Sequence, residues 1–203
     1  MPLPRFSPAT LVRASQPFDH PDFLFELKYD GFRALAYIEG GHCELVSRKG
    51  HVYKSFAPLC ATLAAIERNT ILDGEITCLD ANGRPQFYEL MRRRGEPIFY
   101  AFDVLRLDGE DLRIWPTQAR KMVLEDVVRA RPDILYARHF ETRGVDLFRA
   151  VCEQDLEGIV AKHTLAPYGS ELIPWIKVLN PNYSQREGRR ELFERKRAAA
   201  SSR

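Results

Sequence analysis

The chain has 203 residues, 45% of them hydrophobic and 29% charged. That is enough apolar material for one domain with a real core, and it excludes a wholly disordered chain. No apolar run approaches the ~20 residues needed to cross a bilayer, and the start, Met1-Pro2-Leu3-Pro4-Arg5, lacks the apolar stretch of a signal peptide, so a cytoplasmic protein with no membrane partner is expected. The four cysteines, Cys43, Cys60, Cys78 and Cys152, are widely spaced and read as reduced, buried thiols.

Net charge is only +2, but its distribution is uneven. Residues 184–203 carry seven Arg or Lys against three Glu, hence +4, which leaves −2 for residues 1–183. A basic tail on a near-neutral body suits a polyanionic partner; a merely solvated end is the plainer account.

Residues 1–22 are rich in Pro and Ser without periodicity, which predicts an irregular arm. From Phe23, the residues Phe25, Leu27 and Tyr29 alternate with Glu26, Lys28 and Asp30, predicting a strand with its polar set on one face, broken by Gly31. Strands over Arg33–Ile38 and Cys43–Arg48 flank the turn signal Gly40-Gly41, so the three are expected to form an antiparallel meander. Pro58 with Leu59, Leu63 and Ile66 predicts a helix. Ile71–Leu79 alternates again, with Leu72, Ile76 and Cys78 opposite Asp73, Glu75 and Thr77, and Asn82-Gly83 turns the chain. A short helix over Tyr88–Arg94 precedes the most apolar strand, Ile98–Leu107, which ends at the turn Asp108-Gly109. Pro116 opens a helix to about Ala130; a strand near Leu135–Arg138, a helix over Val145–Gln154, and strands at Gly158–Lys162 and Trp175–Leu179 follow. Arg186–Arg197 reads as a short charged helix. Strands outnumber helices, so the expected fold is α+β, antiparallel sheets with flanking helices. The expected organisation is an arm over 1–22, one domain over 23–180, and a basic tail over 181–203.

Several segments concentrate groups that handle phosphates. Lys28 lies between Glu26 and Asp30 and ahead of Gly31, which permits a tight turn or a close ligand approach. A lysine that attacks phosphorus must be neutral, and an ordinary lysine, of pKa near ~10.4, is almost wholly protonated at neutral pH. Neighbouring cations, a desolvated pocket or a metal must shift the balance, and Arg33, Arg48, Lys162 and Lys177 are the candidate neighbours. Ser47-Arg48-Lys49-Gly50 puts two cations before a glycine. Asp73 and Glu75 place two carboxylates on one strand face, oxygen ligands that suit Mg²⁺ or a ribose hydroxyl. Phe102 could stack on a base, although for this residue taken alone core packing is the better account. Glu157 and Lys162 add a carboxylate and a cation in one strand, and Lys177 follows Trp175.

Taken together and in this order, these motifs resemble the covalent nucleotidyltransferase superfamily, and within it the ATP-dependent DNA ligases, most of all the ligase domain of bacterial end-joining ligases of the ligase D type. The resemblance runs from about Phe18 to Lys177. It implies a nucleotidyltransferase (ATP-grasp-like) adenylation fold. Lys28 would become linked to AMP. Glu26 would lie where adenine is read, Arg33 and Arg48 would contact ribose or phosphates, and Glu75 would sit beside ribose and metal. Phe102 would stack on adenine, Glu157 would bind metal, and Lys162 and Lys177 would lie near the α-phosphate. ATP would be the nucleotide, Mg²⁺ or Mn²⁺ the metal, and DNA with a 5′-phosphate the partner. An RNA-directed nucleotidyltransferase, or a catalytically weakened nucleotide- or DNA-binding accessory module, are the alternative expectations.

Two departures from the family's pattern stand out. The family carries Lys-x-Lys after the tryptophan, where this chain has Lys177-Val178-Leu179. Such ligases also continue into an OB-fold, whereas Asn180–Arg203 offers 24 residues, too few for five strands of ~5 residues with their turns. The expectation is a chain without that barrel, aided by an OB-fold domain or a DNA-end-binding protein in trans.

Overall fold

The computed structural model describes residues 3–129 and 131–186. Its strands are β1 (Leu11–Arg13), β2 (His20–Leu27), β3 (Phe32–Glu39), β4 (His42–Ser47), β5 (Thr70–Thr77), β6 (Ile98–Leu107), β7 (Glu110–Asp111), β8 (Ile134–Tyr136), β9 (His139–Thr142), β10 (Gly158–His163) and β11 (Trp175–Leu179). The helices are α1 (Ala57–Ala64), α2 (Phe87–Met91), α3 (Thr117–Val128) and α4 (Gly144–Glu153). The strands form two sheets. The first runs β1-β11-β10-β2-β9; the second runs β4-β3-β5-β6-β7, with β8 beside β6. Pairing is antiparallel except for β1 with β11 and β6 with β8.

Strand alternation divides each sheet into a packed face and a cleft face. In the second sheet, Ala34, Ala36, Leu72, Ile76 and Val104 meet Leu59 and Leu63 of α1 and Leu124 and Val127 of α3 in the largest core. Its opposite face carries Leu35, Tyr37, Ile71 and Leu105, covered in part by Leu3 and Phe6 of the arm. In the first sheet, Phe25, Ile159, Ala161 and Val178 pack on Leu147 and Val151 of α4. The reverse face bears Val160 and Trp175, which meet Leu11, Tyr168 and, from the second sheet, Phe102. The two sheets therefore turn their remaining faces toward a common cleft.

Three expectations are corrected here. The arm is not wholly irregular, because Leu11–Arg13 forms an edge strand on β11 and β2 already begins at His20. The polar set Glu26, Lys28 and Asp30 does not share one strand face, since β2 ends at Leu27. Nor do the first three predicted strands form a meander: β2 lies in the first sheet, while β3 and β4 lie in the second. Local alternation cannot register this change of sheet, because β2 and β3 each keep period two on either side of it. The short strands β7 and β9 were also not foreseen. The tail expected to form a charged helix over Arg186–Arg197 lies, after Arg186, outside the described residues.

Candidate functional site

The segment Lys28–Gly31 carries the chain from the first sheet to the second, so the candidate nucleophile stands where the sheets join. Each residue of the crossing is held. The Lys28 amide donates to the Gly158 carbonyl at 2.9 Å. The Tyr29 ring stacks on Tyr100 of β6, with centroids 3.7 Å apart. Asp30, buried, accepts from the Tyr183 hydroxyl at 3.1 Å, and its carbonyl accepts from Thr77 Oγ1 at 3.0 Å. Gly31 passes so close to β5 that a Cβ there would fall 2.1 Å from the Ile76 carbonyl oxygen and 3.1 Å from Glu75 Cγ. Only glycine permits that approach.

Lys28 Nζ pairs with Glu157 Oε2 at 2.7 Å, both side chains being partly exposed. Lys177 of β11 is near enough that its pKa is lowered, first by burial and then by Lys28, with Arg13 and Arg48 adding and Glu157 opposing. Arg48 itself is exposed in the turn after β4. Lys28, Lys177, Arg48 and Glu157 thus share the open end of the cleft.

Glu26 points deeper. Its carboxylate lies between two ammonium groups, Lys121 at 2.8 Å and Lys162 at 2.8 Å, and all three residues are buried. Burial alone would raise the Glu26 pKa; the two lysines, by attraction and hydrogen bonding, bring it below the ordinary value. Lys162 also donates to the Phe102 carbonyl at 3.0 Å and lies 4.0 Å over the Trp175 ring. Lys162, matched by resemblance to a phosphate lysine, is therefore committed to Glu26 here, whereas Lys177 keeps the more open position. Lys121 was missed by the sequence reading. It sits on α3 beside Arg120, and nothing in the local pattern separates these two buried cations from solvated ones.

The other candidates line the same cleft. Arg33 makes a two-point pair with Asp73, Nε to Oδ1 at 3.0 Å and Nη2 to Oδ2 at 2.6 Å, and donates to the Ala9 carbonyl at 2.8 Å. Asp73 also accepts from the Tyr168 hydroxyl at 2.6 Å. That carboxylate is thereby paired on both oxygens, and Glu75, half-buried, is the next carboxylate along β5. The Arg33 guanidinium lies 5.4 Å from the Phe102 and Trp175 ring centroids. Phe102 meets Trp175 edge-on at 5.9 Å, a packing contact between the two sheets.

Beyond β11 a strap crosses between the sheets. Asn180 Nδ2 donates to the Leu156 carbonyl at 3.0 Å, and Ser184 bonds Asp155. Gln185 then reaches the second sheet's side, donating to the Pro85 carbonyl at 2.9 Å and accepting from the Phe87 amide at 3.1 Å. Beneath it lies a cavity of about 280 Å³ lined by Asp30, Arg84, Asp155, Glu157, Tyr183 and Gln185. The sequence reading assigned Tyr183 no role, since its partner lies 153 positions away.

Among the described residues, no three His, Cys, Asp or Glu side chains converge as a metal cluster. Glu157, beside Lys28, and Glu75, on β5, are the carboxylates that could serve a divalent cation, which needs only one or two of them and takes its other ligands from phosphate and water. No helix among the described residues is long and apolar enough to cross a membrane.

Comparison with known proteins agrees with this fold. The ATP dependent DNA ligase domain family matches residues 8–178. The multifunctional non-homologous end joining protein LigD of Pseudomonas aeruginosa is 32% identical over 187 residues, covering 87% of this chain and 22% of that protein. The SPbeta prophage-derived DNA ligase-like protein LigB of Bacillus subtilis is 29% identical over 187 residues, covering 88% of this chain and 69% of that protein. The solved structure of mycobacterial DNA ligase D complexed with ATP and MES superposes with a TM-score of 0.76 at 27% identity, covering 85% of this chain and 60% of that one. The ligase domain of Mycobacterium tuberculosis LigD gives a TM-score of 0.72 at 28% identity, covering 83% of this chain and 58% of that one. The chain thus spans about a fifth of the P. aeruginosa protein and under two thirds of these ligase D structures. The chain belongs to the ATP-dependent DNA ligase family, through its α+β nucleotidyltransferase (adenylation) domain.

Proposed function

We propose that Lys28 takes AMP from ATP and that the chain passes it to a DNA 5′-phosphate, for nick sealing or end joining. The observation that carries this reading is the Lys28–Glu157 pair at 2.7 Å, set at the junction of the two sheets among further cations. The Lys28 nitrogen lone pair forms the bond to the α-phosphorus. The bond from that phosphorus to its bridging oxygen breaks, and pyrophosphate leaves with the electron pair.

In the ion pair the lysine is a donor and cannot attack, so a proton must leave it first. Glu157 is the carboxylate placed to receive or relay that proton. Lys177 and Arg48 supply positive charge where the phosphates gain negative charge. Glu75 and Glu157 are the residues that would hold a divalent metal, Mg²⁺ or Mn²⁺, and such an ion neutralises phosphate charge when bound. Phe102 offers its ring to the base. Glu26, with Lys162 and Lys121, forms a fixed polar floor below it.

Incubation with α-labelled ATP and Mg²⁺, followed by a denaturing gel, tests the first step. Labelled protein is expected, and excess chelator should suppress it. Absence of label in active-site-intact protein, with nucleotide still bound, would favour the accessory-module reading.

DNA is the proposed partner, gripped in part by residues 187–203, which carry six Arg or Lys against three Glu. Their removal should weaken DNA binding and flatten its salt dependence by a log–log slope of ~3, while ATP binding stays nearly unchanged. An OB-fold domain or a DNA-end-binding protein supplied in trans should raise sealing more than it raises DNA affinity.

A further inference from the structure

β1 lies at the edge of the first sheet, parallel to β11, with Leu11 paired to Trp175 and Arg13 paired to Lys177. Residues paired across neighbouring strands share a face, as do residues two apart along a strand. Leu11 packs with Trp175, Val160 and Phe102, so its face is the one that looks into the cleft. Arg13, two residues on, therefore shares that face with Lys177. The strand end is fixed there, because the Ala14 amide donates to the Lys177 carbonyl at 3.0 Å. Arg13 is exposed, whereas Lys177 is half-buried.

The consequence is a row of cations running from the sheet junction to the open edge, Lys28, Lys177 and Arg13, with Arg48 opposite. Their mutual repulsion is felt at Lys177, where Lys28, Arg13 and Arg48 all oppose the protonated state and Glu157 favours it. Such crowding is unfavourable in the empty cleft and is relieved by a polyanion. The order along the row sets what each cation can meet. Lys28 must reach the α-phosphorus. Arg13 is one strand spacing, ~4.8 Å, beyond Lys177, at the exposed edge of the sheet. A guanidinium is a planar fork that matches two phosphate oxygens at once.

We infer that Arg13 binds the β- and γ-phosphates of ATP and stabilises pyrophosphate as it leaves, a role that rests on the reading of Lys28 as the AMP acceptor. Position 179 lies two residues from Lys177 on the same face but is leucine, so Arg13 provides the second cation beside Lys177. The edge strand β1 holds it there.

Binding of α,β-methylene-ATP, inorganic pyrophosphate and AMP to the wild-type chain, Arg13→Gln and Arg13→Lys decides the matter. These ligands cannot transfer AMP, so the measurement does not depend on the covalent step. Arg13→Gln should weaken the ATP analogue and pyrophosphate about tenfold each and AMP less than about twofold, with Arg13→Lys between. Thermal melting should stay unchanged, because Arg13 is an exposed edge residue. Equal losses for AMP and the ATP analogue, no loss for either, or a loss confined to DNA affinity would overturn the inference. If the analogue and pyrophosphate respond as expected while no labelled lysyl-AMP forms from ATP, the triphosphate contact stands and the adenylation reading fails.

Discussion

The Tyr183 hydroxyl donates to Asp30 Oδ2 at 3.1 Å, tying the strap beyond β11 to the loop that carries Lys28. Asp30 is buried, so its carboxylate depends on such donors. Burial first and then the Asp30 charge push the Tyr183 phenol's pKa upward, which keeps it a donor through the neutral range. Tyr183→Phe removes the hydroxyl and keeps the ring. It should cost about 1.5–3 kcal/mol in urea melts, the usual range for a hydrogen bond to a charged group, and slow adenylation by loosening the loop. An unchanged melting midpoint would show that the strap does not hold Asp30.

Lys28→Ala should abolish labelling from α-labelled ATP. Lys28→Arg should do the same, because a guanidinium stays protonated and offers no nucleophile. Labelled AMP on any other lysine, found by peptide mapping, would contradict the assignment. Glu157→Gln is expected to keep nucleotide binding and to lower the adenylation rate, because the variant can neither pair with nor relay a proton from Lys28.

The Glu26 cluster should respond asymmetrically. Glu26→Gln leaves Lys121 and Lys162 buried with no counter-charge between them and should cost about 3–5 kcal/mol. Lys121→Met leaves a one-to-one pair of Glu26 with Lys162 and should cost less, the main loss being its 2.6 Å bond to the Ala137 carbonyl. The pH dependence follows from the directions of the shifts. Glu26 sits below its ordinary value in the fold, so its contribution is present above the ordinary carboxylate range and is lost as pH falls through the folded value. The Lys121 pKa is lowered, first by burial and with Lys162 adding, against the pull of Glu26, so protonated Lys121 is a standing cost that lifts only as pH rises toward the unfolded value. Urea midpoints measured from acid to neutral pH should fall for the wild type at the acid end and fall less for Glu26→Gln. Equal costs for the two variants would rule out the lysine pair as the reason.

Phe102→Ala should weaken nucleotide binding by about 1–3 kcal/mol if the ring stacks on the base. It also removes the edge-on contact with Trp175, so stability must be measured beside affinity. Lower stability with unchanged nucleotide affinity would assign Phe102 to core packing alone.

Much of the chain was legible from its residues. Period-two alternation located β2 and β5, apolarity located β6, Pro116 marked the start of α3, and Gly40-Gly41 marked the β3–β4 turn. The face of Asp73 and Glu75 was also readable, because alternation fixes which side chains share a face whatever the strand later pairs with. The order of the charged motifs identified the family. These are properties of neighbours a few residues apart, where backbone geometry leaves few choices.

What stayed hidden is carried by contacts at long sequence range. The change of sheet at Lys28–Gly31 separated Glu26, Lys28 and Asp30, which local alternation had grouped, and gave them Lys121 with Lys162, Glu157 and Tyr183 as partners. No local signal distinguishes Lys121 from an exposed lysine on α3, or Arg13 from any other cation in a proline-rich arm. A charge can be buried only where packing brings an opposite charge to it, and an edge strand forms only where another strand presents an open row of backbone groups. Sequence alone determined which chemistry the chain could perform. The packing of two sheets decided which lysine stands at their junction, which one is locked beneath it, and which arginine faces the open edge.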